Sequence, residues 1–350
     1  MQAQAVDVEP KSEPAEQGFT GPLKARRRSL PRPVLLLLPL LLLCVIFTAL
    51  NHSFLSTNNL EGIINQNAVV AMAAVGETVV VLAGGIDLSI EGVMAISSLI
   101  CALLVANNAN SIDLGILGIF IGCAAGTVFG LVNGLLNTFG KVPSFAGSLG
   151  LWYVGLGLEA LIAIHFSPAG VNITSPGVTS LVIENKAGLS WLALISIAAV
   201  VFGYLAQRFT TFGRRVLAVG INQSLADAAG VRVRRTKIAA FTLAGTLYGI
   251  AGFMSVTQYG GISSNTSSTS GQTLFAVITA LVIGGTALSG GKGGFLYTGL
   301  GILTLGVLND GMVLSGVPAF DQELVSGGLI IVALSLGAWQ TTRRSRELVK

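Results

Sequence analysis

Apolar runs recur from one end of this chain to the other, and no other feature limits its fold so severely. They begin with Val34 to Leu50 and continue near 61–83, 88–106, 114–139, 144–165, 189–207, 238–258, 274–288, 295–310 and 324–340. Most are long enough to cross about 30 Å of hydrocarbon. Backbone in such a solvent must satisfy its own hydrogen bonds, so these runs are read as helices. Composition agrees: 52% of the residues are hydrophobic and only 10% charged, with a mean hydropathy of +0.77. A typical soluble domain carries about 25% charged residues. With 20 Lys and Arg and 16 Asp and Glu in 350 residues, polar groups cannot cover a soluble surface. The expectation is an all-α polytopic membrane protein of about ten transmembrane helices, some broken or short.

The first run resembles a signal peptide, but Asn51-His52-Ser53 is a poor cleavage site and many more runs follow. It is therefore read as an uncleaved span. The few charges orient the molecule. If the N-terminal tail is cytoplasmic and ten spans alternate, the cytoplasmic side receives six basic residues in that tail, Lys141, seven over 208–237, Lys292 and four in the C-terminal tail. Only Lys186 falls outside, which supports both the count and the orientation under the positive-inside rule. The expected organisation is a cytoplasmic tail over 1–32, a membrane domain over 33–340 with its main cytoplasmic loop at 208–237, and a second cytoplasmic tail over 341–350.

Several chemistries have no support. The net charge of +4 lies in flanking loops, where membrane lipid rather than nucleic acid is its partner. Cys44, Cys101 and Cys123 sit in apolar stretches, and the two histidines, His52 and His165, are far apart, so no metal site is read. The Gly-rich segment before Lys292 fails as a phosphate loop, because Thr286 stands where its first glycine is needed and Gly293 follows the lysine. No catalytic residue and no cofactor is expected, and the chain is not read as an enzyme.

Glycine supplies 45 of the 350 residues, about twice ordinary usage. Gly84-Gly85-Ile86-Asp87-Leu88-Ser89 ends one apolar run and begins the next. Two adjacent glycines cost about 2 kcal/mol inside a helix, and Asp87 or Ser89 can cap a new one. Two readings are open: a helix broken at membrane depth beside a transport path, or a tight cytoplasmic turn. Gly284-Gly285-Thr286-Ala287-Leu288-Ser289 repeats the pattern, and Val142-Pro143-Ser144-Phe145 is echoed by Val317-Pro318-Ala319-Phe320, although one pair encloses two spans and the other one.

Ionisable groups inside spans are costly and default to functional candidates. Glu77 is the deepest, and a helical projection of 61–83 puts Gln66, Ala73, Glu77 and Gly84 on one face. Gln66, Glu77, Gly84, Gly85, Asp87 and Ser89 are taken as residues that line or shape a solute path; a structural Glu77, bonded to a neighbouring helix or protonated, is the alternative. Glu159 and His165 are read as structural, Asn133 and Asn137 as interhelical hydrogen-bonding groups, and Asp310 as solvated. In the 208–237 loop, Ser224 to Ala229 reads as a short helix stopped by Gly230. Either a docking surface or a basic anchor on anionic lipid fits it.

Together, Ala74-Val75-Gly76-Glu77-Thr78, Gly84 to Ser89, the loop from Gly220-x-Asn222 to Gly230-Val231, Gly284 to Gly293 and Leu308-Asn309-Asp310-Gly311 resemble the permease of ribose-type ABC sugar importers. The likeness runs in order from about 55 to 340. It implies a bacterial inner-membrane permease that pairs as a homodimer or with a sister permease, a separate cytoplasmic ATPase and a periplasmic substrate-binding protein. The solute would be a monosaccharide or polyol, or in more distant relatives a nucleoside or branched-chain amino acid. Asn222, Gln223, Asp227 and Gly230 would then couple to the ATPase. The chain departs from the family pattern at Asn222-Gln223-Ser224-Leu225, where Asn-Glu-Ala-Ala is usual, at Glu77, often Met, and at Leu274, commonly Glu. The rival class is a cation-coupled secondary transporter with Glu77 or Asp87 as its proton site.

Overall fold

The computed structural model describes residues 32–183, 188–262, 272–329, 331, 332 and 335. The tail over 1–31, Lys186, most of the Ser/Thr-rich 259–272 stretch and the tail over 341–350 lie outside these residues. In chain order the helices are α1 (Arg32–Leu50), α2 (Thr57–Gln66), α3 (Ala68–Leu82), α4 (Ile90–Leu104), α5 (Ile116–Thr138), α6 (Ser144–Phe166), α7 (Pro176–Thr179), α8 (Trp191–Phe209), α9 (Thr211–Ile221), α10 (Gln223–Ala228), α11 (Val233–Gln258), α12 (Gln272–Ile283) and α13 (Phe295–Leu314). Residues 319–329 are again helical. Two short strands, β1 (Val171–Asn172) and β2 (Gly261–Ile262), pair antiparallel, Val171 opposite Ile262 and Asn172 opposite Gly261.

Five helices, α5, α6, α8, α11 and α13, are long and apolar enough to cross a membrane; the pair α2–α3, bent by 47°, makes a sixth if counted as one. The apolar segment Leu37–Leu50 of α1 and all of α4 and α12 are shorter. For α4 and α12 the cause is local. α4 begins after the Gly84-Gly85 break, and α12 ends at the Gly284-Gly285 break. The bend at Asn67 also corrects the projection of 61–83 as one helix: Gln66 ends α2 and does not continue the face of α3 that carries Glu77.

α3 forms the centre, buried at every residue except Val70 and Ala71. Around it the core joins Met72, Ile90, Leu99, Phe241, Tyr248, Met254, Leu274 and Leu281. Large apolar side chains elsewhere face outward, among them Phe120, Tyr153, Ile164 and Phe202, as a helix bundle in lipid requires.

The tightest seam joins α5 to α11. Gly118, Gly122, Gly126, Gly130 and Gly134 recur every fourth residue and form one stripe of α5. A Cβ on Gly130 would lie 2.9 Å from the Cα of Gly245, and one on Gly126 2.8 Å from the Cα of Gly249. Only glycine permits such backbone contact, the close-packing use of small residues in membrane helices. Thr127 and Thr246 add a hydroxyl pair at 2.9 Å across the seam.

The molecule has two unlike ends. At one, Asn51 after α1 donates to the carbonyl of Leu314 at the end of α13, and the β1–β2 pair and Asn107 tie the loops after α4, α6 and α11 together. At the other lie both Gly-Gly breaks, the turn between α5 and α6, and α9 and α10. Every Lys and Arg whose side chain is described is on segments of this second end: Lys141, Arg208, Arg214, Arg215, Arg232, Arg234, Arg235, Lys237 and Lys292.

Candidate functional site

Both Gly-Gly breaks stop a helix in the same way. After α3, the N–H of Gly84 donates to Val81 and that of Gly85 to Val80, with Gly84 at φ +79°. After α12, the N–H of Gly285 donates to Val282 and that of Thr286 to Leu281, with Gly285 at φ +81°. Each is a Schellman stop, in which the left-handed residue is best served by glycine. The sequence echo is thus one residue out of structural register: the first glycine turns the chain in one motif and the second in the other.

Beyond the first stop the chain runs back alongside α3 before α4 begins. Four consecutive backbone donors along it end on side-chain oxygens. Ile86 donates to Ser144 Oγ at 3.1 Å, Asp87 to Glu77 Oε1 at 3.2 Å, Leu88 to Ser148 Oγ at 2.9 Å and Ser89 to Asp87 Oδ1 at 2.9 Å. Ser89 Oγ donates to the same Asp87 oxygen, and Tyr248 of α11 donates its hydroxyl to Glu77 Oε2 at 2.7 Å. Glu77, Asp87, Ser89 and Tyr248 are all buried. This is non-helical backbone enclosed in protein, the condition under which it survives at membrane depth. It fits the broken-helix reading and not an exposed turn.

The second break is satisfied mainly by backbone. Ala287 donates to the carbonyl of Lys292, and Gly290 to that of Ala287, while Thr286 Oγ1 accepts from Gly294. Gly290, Gly291, Gly293 and Gly294 all take positive φ. The two breaks also meet. Gly291 donates to the carbonyl of Leu82 at 3.2 Å, and a Cβ on Gly290 would lie 2.7 Å from the Cα of Gly84. Between them enters Gly220 near the end of α9, where a Cβ would overlap the Leu82 carbonyl and approach the Gly291 nitrogen to 2.7 Å. A chain of hydroxyls, Thr78 to Thr298 at 2.9 Å and Thr298 to Thr286 at 3.3 Å, links the same elements deeper in the core.

Gly220 stands three residues before α10. Asn222 caps α10, its Oδ1 accepting from the N–H of Leu225 at 3.0 Å, and Gly230 stops it at φ +79°. Ala226 alone among the α10 residues is buried; Leu225 is 69% exposed, as is Ile221 before it. Gln223 and Asp227 border a cavity of about 650 Å³ with Arg232, Arg234, Arg235 and Lys237.

Of the residues predicted from sequence, the structure brings Glu77, Asp87 and Ser89 into one hydrogen-bonded cluster, places Gly84 and Gly85 at its edge, and leaves Gln66 apart at the end of α2. Asn222, Gln223, Asp227 and Gly230 gather on or beside α10. Other expectations need correction. Asn133 and Asn137 do not pair with a neighbouring helix: Asn133 is buried beside Asp87 of the first break, and Asn137 donates to Val142 in the following turn. Asp310 is not simply solvated, since its Oδ2 accepts from Asn59 at 2.7 Å.

A further polar cavity is not legible in the sequence. About 690 Å³ opens between α4, α6, α11 and α12 at the β1–β2 end, bordered by Glu91, Ser98, Glu159, Asn172, Ser255 and Thr273 among others. None of the six expected path residues borders it. Glu159, read as structural from its place near a helix end, is on its wall. No local signal marks it, because the wall forms only where α6 packs on α4, with Gly155 against Gly92.

The profile of the family described as branched-chain amino acid transport system / permease component matches residues 59–334. The ribose import permease protein RbsC of Bacillus subtilis (strain 168) is 34% identical over 85% of this chain and 90% of its own length. The probable ABC transporter permease protein YphD of Escherichia coli (strain K12) is 33% identical over 89% and 91%, and the L-arabinose ABC transporter permease protein AraH of Azospirillum brasilense 32% over 83% of each. No solved structure gives a significant match. With its long apolar helices, its two breaks and a likeness that spans most of each relative, the chain belongs to this family of multi-pass membrane transport permeases.

Proposed function

We propose that this chain is the membrane-spanning subunit of an ATP-driven importer of a monosaccharide or polyol in the bacterial inner membrane. It pairs with a second copy or a sister permease, a cytoplasmic ATPase and a periplasmic substrate-binding protein. ATP is hydrolysed on the partner, so the chain itself is not an enzyme. The end bearing α9 and α10 is cytoplasmic, in keeping with its concentration of Lys and Arg. Ten traversals fit that orientation when α2–α3 is one, α4 and α12 are half-helices completed by their breaks, and the helical stretch over 319–329 belongs to the last.

The observation that carries this reading is α10: a capped helix with its apolar Leu225 exposed, joined through Gly220 to both breaks. A free helix so short is not stable by itself, and an exposed leucine beside a basic cavity calls for a partner surface. Docking there would act on Gly220, which meets Leu82, Gly84 and Gly291 without a side chain to interlock. Such a contact can slide. Movement of break one against break two would open and close the path that Glu77, Asp87 and Ser89 shape.

Uptake of labelled pentoses, hexoses and polyols into vesicles tests this. Uptake that requires ATP, the ATPase and the binding protein supports the importer. Uptake without the ATPase, abolished by a protonophore, would instead establish the cation-coupled transporter.

A further inference from the structure

We infer that the cavity between α4, α6, α11 and α12 is a solute-binding vestibule that admits neutral hydroxylated molecules and rejects anions, with Glu159 as its specificity-determining residue. The identity of the solute rests on the importer reading above; the charge selectivity rests on the cavity alone. At about 690 Å³ it has the size of a small-molecule site, for which about 300–1,000 Å³ is usual.

Its two carboxylates are differently placed. Glu91, in the first turn of α4, accepts from the N–H of Leu274 at 2.9 Å and so holds the start of α12 against the cavity. Glu159, on α6, is half-buried and makes no hydrogen bond or ion pair among the described residues. Ser255 and Thr273 offer hydroxyls on the facing walls, and no Lys, Arg or His borders the cavity among the described residues. A carboxylate only accepts hydrogen bonds, so it pairs with the hydroxyl donors of a sugar or polyol. A phosphate or carboxylate in the same place meets like charge with no cation to offset its lost hydration. Selection by such repulsion is as effective as selection by attraction.

Thiol labelling tests this on the full chain in right-side-out vesicles, with Cys44, Cys101 and Cys123 replaced by alanine. Ser255→Cys puts a reactive group on the cavity wall, and Thr273→Cys provides a second should the first disturb folding. Cationic, neutral sugar-bearing and anionic methanethiosulfonate reagents are compared. The cationic reagent is expected to react about tenfold or more faster than the anionic one, with the neutral reagent between them. Glu159→Gln should cut the preference by about threefold or more, Glu91 holding the remainder, while Glu159→Asp keeps it. Equal rates in the parent, a preference undiminished by Glu159→Gln, or no reaction at either thiol would overturn the assignment. If the preference is present but ATP-driven sugar uptake by the unmodified importer is absent, the importer reading fails and the vestibule's selectivity stands.

Discussion

The two Gly-Gly breaks share a helix stop and differ in almost everything after it. Break one is held by side chains, with Ser144, Glu77, Ser148 and Asp87 each taking a backbone N–H. Break two is held mainly by its own backbone and by glycines at positive φ, with Thr286 as its one side-chain acceptor among the described residues. The difference teaches that one motif can serve two mechanical ends. A latch of side-chain oxygens fixes residues 86–89 against α3 and α6, while a glycine surface lets another segment approach and leave. Side-chain removal should therefore damage break one, and side-chain addition break two and its contact with Gly220.

The largest effect is expected from Gly220→Leu. Its Cβ would overlap the Leu82 carbonyl, and displacing backbone in a packed core costs about 1–3 kcal/mol or more. ATP-driven uptake should fall by at least about tenfold while the chain still inserts and copurifies with the ATPase. Unchanged uptake would show that the junction tolerates bulk and that the contrast between the breaks is misplaced.

Next comes the buried acid cluster. Tyr248→Phe strips Glu77 Oε2 of its donor, a loss of about 1–3 kcal/mol for a buried group, and should lower the thermal unfolding midpoint of the purified permease. Glu77→Gln keeps the shape but replaces one of two accepting oxygens with an amide donor; transport of every tested sugar at the parent rate and pH profile would remove Glu77 from the path. Smaller again, Ser148→Ala leaves the Leu88 N–H unpaired and should cost about 1 kcal/mol. Thr286→Val does the same to Gly294 in break two; a much larger loss there than at Ser148 would invert the comparison. The smallest effect on uptake is expected of Gly230→Ala, where a Cβ meets nothing within 4 Å and only the left-handed backbone is strained. It should weaken copurification with the ATPase without affecting insertion.

Much of this organisation could be read from the residues. Two adjacent glycines followed by Asp87 and Ser89 announce a stop and restart because they are poor helix formers next to good caps, and Asn222 with Gly230 bounds α10 by the same chemistry. What escaped the sequence depends on distant contacts. Nothing local places Gly220 between Leu82 and Gly291, or Tyr248 on Glu77 across 171 residues of chain. The bend at Asn67 interrupts an apolar run whose periodicity looks continuous, so a helical projection groups Gln66 with Glu77. The four-residue glycine stripe from Gly118 to Gly134 stands in the sequence, but in a chain with 45 glycines its spacing does not single out a seam. Glu159 faces a cavity that exists only once α4, α6, α11 and α12 have packed.

The central claim is that the path opens by movement of break one against break two. Thr78 of α3, which leads into break one, and Thr298 of α13, which leads out of break two, have hydroxyls 2.9 Å apart. In a chain freed of its own cysteines, Thr78→Cys with Thr298→Cys should form a disulfide on oxidation. The account predicts that ATP-driven uptake is then lost, returns on reduction, and leaves ATPase copurification intact. Full uptake with the disulfide formed would contradict it.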